Sequence, residues 1–160
     1  MTPLSAPAAR VQQALRDAGL DCTVVEHAVA ARTSAEAAAA LGCAVAEIAK
    51  SLVFRRGENS AVLVIASGAN RVDERKIEAL LGEPIRKADA AFVRTLTGYA
   101  IGGIPPFAHA APSTTLVDAD LLQFARVHAA GGTPNAMFAI RPQDLVAVSG
   151  ARVADVKLDG

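Results

Sequence analysis

The chain has 160 residues, with 16 basic and 16 acidic side chains and a formal net charge of zero. This length is typical of one domain, and we expect residues 1–160 to form a single one. The balanced charge excludes a protein coated with basic residues for nucleic-acid binding, although it allows a local basic patch. Hydrophobic residues make up 52% and charged residues 20% of the chain, proportions that exclude intrinsic disorder.

Cysteine spacing and apolar runs exclude further classes. Cys22 and Cys43 lie far apart and form no CxxC pair, which argues against a disulfide framework and a structural zinc site. The longest apolar run, Ala61 to Ala66, is far shorter than the ~20 residues of a membrane span. The N-terminus lacks the apolar core of a signal peptide. We therefore expect a cytoplasmic protein that has no membrane segment.

The first helix is predicted over residues 5–20, with Ser5 as its N-cap and Gly19 near its end, because apolar residues recur on one helical face. A short strand is predicted over residues 22–27. The sequence Thr33-Ser-Ala-Glu36 has the spacing of a capping box, in which the Thr33 hydroxyl accepts the amide of residue 36 and Glu36 reaches back. This box opens a second helix over residues 34–41.

A β-hairpin is predicted next. A short turn over residues 45–49 leads to Lys50, and the hairpin arms, residues 51–56 and 60–66, flank the turn Gly57-Glu-Asn59. The second arm is apolar throughout, which indicates a strand that is covered on both faces.

Single helices then alternate with short strands. Asp73 and Asp89 are expected to cap helices that end at residues 81 and 96, and Pro142 suits the first turn of a last helix that ends at residue 148. The remaining strands are predicted over residues 114–117, 126–128 and 136–140. This alternation favours a mixed or antiparallel sheet decorated by helices over a pure βαβ series.

A glycine- and proline-rich loop, residues 97–109, is the first candidate for chemistry. Gly102 and Gly103 allow close approach of the backbone, and Pro105 and Pro106 stiffen the end of the loop. Such a loop can direct its amides at an anion or a carbonyl oxygen, but an ordinary turn between a helix and a strand has a similar composition. Its spacing matches neither a Walker loop nor a dinucleotide fingerprint.

Other reactive residues give weaker signals. Lys50 could reach a phosphate or polarise a carbonyl, or it could be a solvated lysine near a helix C-terminus. The histidines share no metal-ligand spacing, and no serine lies in a GxSxG elbow, so neither a metal site nor a serine-hydrolase triad is predicted. Two basic clusters, residues 55–56 and 71–76, are either solvated surface or contacts for a nucleic-acid backbone.

Four segments of the chain carry a resemblance to a known family. They are Glu26-His27 with Thr33 to Gly42, Ile48 to Phe54, Thr97 to Pro106, and Ala129 to Gly132 with Pro142 to Leu145. In this order and spacing they resemble the YbaK/ProX family of free-standing aminoacyl-tRNA deacylases, which are related to the editing insertion of bacterial prolyl-tRNA synthetases. The resemblance extends over nearly the whole chain, from about residue 6 to about residue 155.

The resemblance implies both a fold and an activity. The fold would be α+β, a mixed, barrel-like β-sheet core flanked by helices. The activity would be hydrolysis of the ester that joins a wrong amino acid to the terminal adenosine of a tRNA, with no metal or other cofactor. The loop variant resembles a subgroup associated with mischarged serine or threonine, and alanine and cysteine remain open. The implied partners are the acceptor end of aminoacyl-tRNA and, as a second candidate, a synthetase.

The resemblance also implies site residues. Lys50 matches a lysine of the family's substrate pocket, and Gly102, Gly103 and Pro105 match the loop that faces the aminoacyl group. The predicted catalytic residues are Lys50, Gly102, Gly103 and His109. The predicted substrate-binding residues are Ser51, Ile101, Ile104 and Pro105.

Two mechanisms and two functions remain open. Backbone amides around Gly102 and Gly103 would stabilise the oxyanion, and Lys50 would contact the terminal phosphate or the carbonyl oxygen. The vicinal ribose hydroxyl would position the attacking water, or His109 would act as the base. The alternative function is a non-catalytic module that binds an aminoacyl or nucleotide group or docks on a synthetase.

Overall fold

The computed structural model describes residues 3–159, which form a mixed sheet of eight strands flanked by helices. The strands are β1 (Val25–Glu26), β2 (Ile48–Arg56), β3 (Ser60–Ser67), β4 (Arg86–Lys87), β5 (Thr114–Asp118), β6 (Val127–Ala130), β7 (Ala136–Ile140) and β8 (Arg152–Ala154). The helices are α1 (Ala6–Asp17), α2 (Ser34–Leu41), α3 (Glu74–Leu81), α4 (Ala90–Thr97) and α5 (Pro142–Ser149). Short 3₁₀ helices cover Val45–Glu47 and Ala119–Gln123.

The sheet has the order β1-β7-β6-β2-β3-β5-β8, and β4 also pairs with β2. The pairs β2–β6, β3–β5 and β5–β8 are parallel, and the other pairs are antiparallel. This confirms the prediction of an α+β fold with a mixed sheet flanked by helices.

Strand β2 has a gap in its pairing, and this gap positions the site. On one side β2 pairs with β3 from Ala49 to Arg56. On the other side it pairs with β6 only at Ile48 and Ala49, and with β4 only at Phe54 and Arg55. Within the described part of the chain, residues 50–53 therefore have no strand partner on that second side. The gap leaves room for a cavity beside the strand.

Apolar side chains cover both faces of the central strands. On one face of β3, Leu63 and Ile65 join a cluster with α1, and on the other face Val62 and Val64 pack with α3. Each fully buried Leu, Ile or Val side chain contributes about 1.5–3 kcal/mol. The prediction that the second hairpin arm is covered on both faces is confirmed.

Helix caps follow the predictions with two exceptions. Thr33, Asp73 and Asp89 accept backbone amides at the starts of α2, α3 and α4. Ser5 makes no such bond: its amide and hydroxyl donate to the carboxylate of Glu26, at 2.6 and 3.0 Å, and so fasten the start of α1 to β1. In the capping box, Glu36 accepts from the amide of Arg32 instead of from Thr33.

Several predicted boundaries were wrong. Helix α1 ends at Asp17, and β2 begins at Ile48, so Lys50 lies inside the strand and not ahead of it. The strand predicted over residues 22–27 is reduced to β1, because the side-chain amide of Gln12 bonds the backbone of residues 22 and 24. Strands β4 and β8 and the 3₁₀ helix Ala119–Gln123 were not predicted.

Candidate active site

A cavity of about 310 Å³ lies beside the gap in β2. Its walls come from the start of α2, the first half of β2, the loop after α4 and the connection between β6 and β7. Lys50, Ser51, Gly102 and Ile104 all line it. The structure therefore brings four of the predicted site residues together from two segments that lie far apart in the sequence.

Lys50 is held in place by a hydrogen bond to the backbone. Its ammonium group donates to the carbonyl oxygen of Asn70 over 2.6 Å. Burial lowers the pKa of Lys50, the negative charge of Asp118 works against that shift, and the positive charge of Arg71 adds to it. The side chain is half-buried, so its ammonium has a defined position at the cavity wall.

A polar network that the sequence analysis missed lies behind Lys50. The side-chain amide of Asn70 donates to a carboxylate oxygen of Asp118 at 2.8 Å and to one of Asp120 at 2.9 Å. Asp118 is 1% exposed and also accepts the amide of Ser67 at 3.0 Å. In the sequence, an aspartate that directly follows an apolar strand was the signal that could have pointed to this network.

Gly102 and Gly103 have different roles in the structure. Gly102 lines the cavity with φ +94°, a backbone conformation that favours glycine, and no acceptor among residues 3–159 engages its amide. The Gly103 amide donates to the carbonyl of Ala100, and its carbonyl accepts the amide of Gly132, each at 3.0 Å. A Cβ atom on Gly103 would lie 2.6 Å from the Thr133 backbone. Close packing of two loops thus requires glycine at position 103.

The four predicted substrate-binding residues divide into two pairs. Ser51 and Ile104 line the cavity, and the hydroxyl oxygen of Ser51 is buried without a hydrogen-bond partner. Ile101 is 57% exposed, Pro105 is buried, and neither lines the cavity. The structure therefore leaves Ser51 and Ile104 as the members of this group that are placed to contact a ligand there.

His109 lies in a different pocket, with Phe107 and Ser149 among its neighbours. Its Nε2 atom donates to the carbonyl oxygen of Pro105 at 2.6 Å. Burial lowers the pKa of His109, and the hydrogen bond to Pro105 works in the opposite direction. The structure does not bring His109 to the cavity that Lys50 lines, and its contacts are those of a residue that braces the loop.

The part of the chain from residue 3 to residue 159 has neither a metal-binding cluster nor a membrane-spanning helix. No group of three or more His, Cys, Asp or Glu side chains there is arranged to hold a metal ion. None of the described helices has the length and apolar character that crossing a membrane requires.

Comparison with known proteins identifies the class of this fold and site. Residues 28–148 match the family model of the aminoacyl-tRNA editing domain. A solved structure described as "a putative trans-editing enzyme for prolyl tRNA synthetase" is 48% identical, with a TM-score of 0.92 and coverage of 98% of this chain and 100% of that one. The structure of hypothetical protein APE2540 is 36% identical, with a TM-score of 0.86 and coverage of 93% and 99%.

A curated relative matches most of the chain. The uncharacterized protein YwhH of Bacillus subtilis (strain 168) is 31% identical over 130 residues, which are 81% of this chain and 83% of the relative. The chain belongs to the aminoacyl-tRNA editing domain family. This membership confirms the resemblance that the four sequence segments indicated.

Proposed function

We propose that this protein is a hydrolase that removes a wrongly attached small amino acid, such as serine, threonine, alanine or cysteine, from tRNA. One observation carries the proposal: in a chain of the editing family, Lys50 and Gly102 line the same cavity. An ammonium group and an unengaged backbone amide there are suited to the developing negative charge of ester hydrolysis. The reaction would take place in the cytoplasm, where tRNA is charged.

In the proposed reaction, water attacks the carbonyl carbon of the ester. The Gly102 amide and the Lys50 ammonium stabilise the oxyanion, the bond between the carbonyl carbon and the ribose oxygen breaks, and a proton from the water passes to that oxygen. His109 lies in the other pocket, so the proposal assigns positioning of the water to the vicinal ribose hydroxyl. An aminoacyl ester is already activated and needs no serine triad.

The decisive experiment is incubation with a panel of mischarged tRNAs. We expect release of at least one small amino acid, and a large loss of activity in Lys50→Ala. Lys87→Ala is the matched control, because Lys87 is exposed on β4 and does not line the cavity. No release from any tRNA, or equal rates in Lys50→Ala and the wild type, would overturn the proposal. Binding without release would favour the non-catalytic module instead.

A second substrate tests how the water is positioned. On a tRNA whose terminal ribose lacks the vicinal hydroxyl, we expect turnover to fall about 100-fold, within the range that general acid–base assistance supplies. Undiminished turnover would contradict substrate assistance and leave the water without an assigned partner.

A further inference from the structure

Asp118 is a buried carboxylate without a cation partner. It is 1% exposed, and within residues 3–159 no basic side chain forms an ion pair with it. Its oxygens accept from the amides of Ser67 and Asp120 and from the side chain of Asn70. Burying a carboxylate is costly unless hydrogen bonds compensate it, and the three donors gathered around Asp118 fix its position at the end of β5.

Asn70 connects this carboxylate to Lys50. The main-chain carbonyl oxygen of Asn70 accepts from the Lys50 ammonium at 2.6 Å. The side-chain amide of Asn70 donates to Asp118 and Asp120 at 2.8 and 2.9 Å. Both ends of Asn70 are therefore engaged: the main chain holds Lys50, and the side chain is fastened to the start of the 3₁₀ helix that follows β5. The main-chain amide of Asn70 also donates to the carbonyl of Ser67 at 2.9 Å, so the side-chain bonds add a second attachment that keeps the main-chain carbonyl beside Lys50.

We propose that Asn70 and Asp118 are positioning residues that hold the Lys50 ammonium at the cavity wall, Asn70 through its carbonyl and Asp118 through its charge. The proposal rests on the function proposed above for Lys50. It goes beyond that function by adding a second layer of residues, neither of which lines the cavity. Residues that orient a reacting group in this way commonly affect activity 10–100-fold when changed, an order of magnitude taken from metal sites.

The charges around Lys50 make the proposal testable. Asp118, at the end of β5, favours the charged form of Lys50, and Arg71, in the segment after β3, disfavours it. Asp120 is paired with Lys157 at 3.1 Å, which offsets its charge. Removing the charge of Asp118 should therefore lower the pKa of Lys50 further, because burial and Arg71 would then act without opposition.

The first experiment measures this titration directly, without any substrate. The Lys50 side-chain carbon signal, assigned by its loss in Lys50→Arg, is followed by NMR against pH in the full-length wild type, in Asp118→Asn and in a control, Asp89→Asn. Asparagine still caps α4 in the control while one negative charge is removed. We expect Lys50 to titrate at lower pH in Asp118→Asn only. An unchanged titration in Asp118→Asn would overturn the role of its charge.

The second experiment uses Asn70→Ala, which keeps the carbonyl group but removes the side-chain anchor. We expect kcat to fall about tenfold while KM changes less than twofold, because the ammonium loses its fixed position. An unchanged kcat would overturn the role of Asn70. If Asp118→Asn does not fold, Asn70→Ala tests the positioning of Lys50 in its place. In Asn70→Ala the titration of Lys50 should move toward that of a solvated lysine, and an unchanged titration would count against the proposal.

The two experiments separate this proposal from the proposed function. If Lys50→Ala keeps full hydrolytic activity, the assignment of Lys50 as a catalytic residue fails. The NMR titration of Lys50 in the wild type and in Asp118→Asn still decides whether Asp118 influences the charge of Lys50. If Lys50→Ala is inactive but Lys50 titrates identically in the wild type, Asp118→Asn and Asn70→Ala, the positioning role of Asn70 and Asp118 fails. The assignment of Lys50 as a catalytic residue then stands.

Discussion

The Nε2 atom of His109 lies 2.6 Å from the carbonyl oxygen of Pro105, and this bond closes the glycine- and proline-rich loop on itself. A carbonyl oxygen can only accept, so Nε2 carries the hydrogen. Beside it, the Tyr99 hydroxyl donates to the carbonyl of Ala108, a non-glycine residue with φ +64°. Together the two bonds hold the loop in a conformation that an isolated chain would rarely adopt.

The first prediction concerns stability against pH. Burial lowers the pKa of His109 below its ordinary value of 6.5, and burial lowers the pKa of His128 as well. The unfolded chain therefore binds protons more tightly than the folded one. We expect the free energy of unfolding to be at its full value above pH 6.5 and to fall as the pH drops below it, until the folded-state pKa values are reached.

Urea unfolding at a series of pH values measures this dependence. His109→Asn removes one of the two titrating groups while an amide remains available to donate to Pro105, so its stability should decline less steeply with falling pH than that of the wild type. Equal slopes in the variant and the wild type would show that His109 does not contribute.

The second prediction separates the two glycines. Gly103→Ala places a Cβ atom 2.6 Å from the Thr133 backbone, so one of the two loops must shift to accept it. We expect a loss of about 1–3 kcal/mol in unfolding free energy, typical of overpacking, and lower activity as a consequence. In Gly102→Ala the new Cβ atom makes only an ordinary contact with the Pro134 side chain, at 3.7 Å, and the positive φ costs about 1–2 kcal/mol.

Activity and denaturation measured together distinguish these effects. In Gly102→Ala, hydrolysis should fall more than the small loss of stability explains, because the new methyl group lies at the cavity wall. Wild-type kinetics in Gly102→Ala would contradict the need for a residue without a side chain at this point of the cavity wall.

Local patterns predicted much of the fold, and the resemblance pointed to residues that the structure places in one cavity. The Thr33 cap and the hairpin follow from residues close together in the chain, which is why they could be predicted. Lys50 and Gly102 were matched to a family pocket, and they line one cavity. Sequence reasoning could not supply the tertiary contacts of the loop. The pocket that His109 lines depends on how the loop folds back, and local residue spacing does not encode this.

The missed elements have the same physical cause. Strands β4 and β8 are two and three residues long, and each exists only because a distant strand pairs with it. Asn70 and Asp118 meet only when the segments that follow β3 and end β5 lie side by side in the sheet. Such pairings depend on long-range contacts and leave little trace in a short window of sequence.

The third prediction concerns the bonds between Gln12 of α1 and the segment that precedes β1. Gln12 is 7% exposed, and its side-chain amide donates to the carbonyl of Cys22 and accepts the amide of Val24. Gln12→Ala leaves both backbone groups without partners, so we expect a loss of about 1–3 kcal/mol in the free energy of unfolding. The neighbouring Gln13 is exposed, and its side chain bonds the exposed Asp17 one turn away, so Gln13→Ala is the control, with a change below about 0.5 kcal/mol. Chemical denaturation measures both variants. Equal losses of unfolding free energy in Gln12→Ala and Gln13→Ala would contradict the stabilising role of the Gln12 side chain.

The last prediction tests the cavity mouth. Arg32 is exposed and lines the cavity, and within the described residues no carboxylate pairs with its guanidinium. Its charge is therefore available to a phosphate of the tRNA acceptor end. We expect Arg32→Ala to raise KM for charged tRNA with little change in kcat, and to reduce the slope of log affinity against log salt concentration by about one.

Arg16→Ala is the matched control for this test, because Arg16 is exposed on α1 and does not line the cavity. Its KM and salt slope should equal those of the wild type. If Arg32→Ala and Arg16→Ala weaken binding to the same extent, the tRNA is held by diffuse charge over the surface and not at the cavity mouth, because only a local contact can make the two arginines differ.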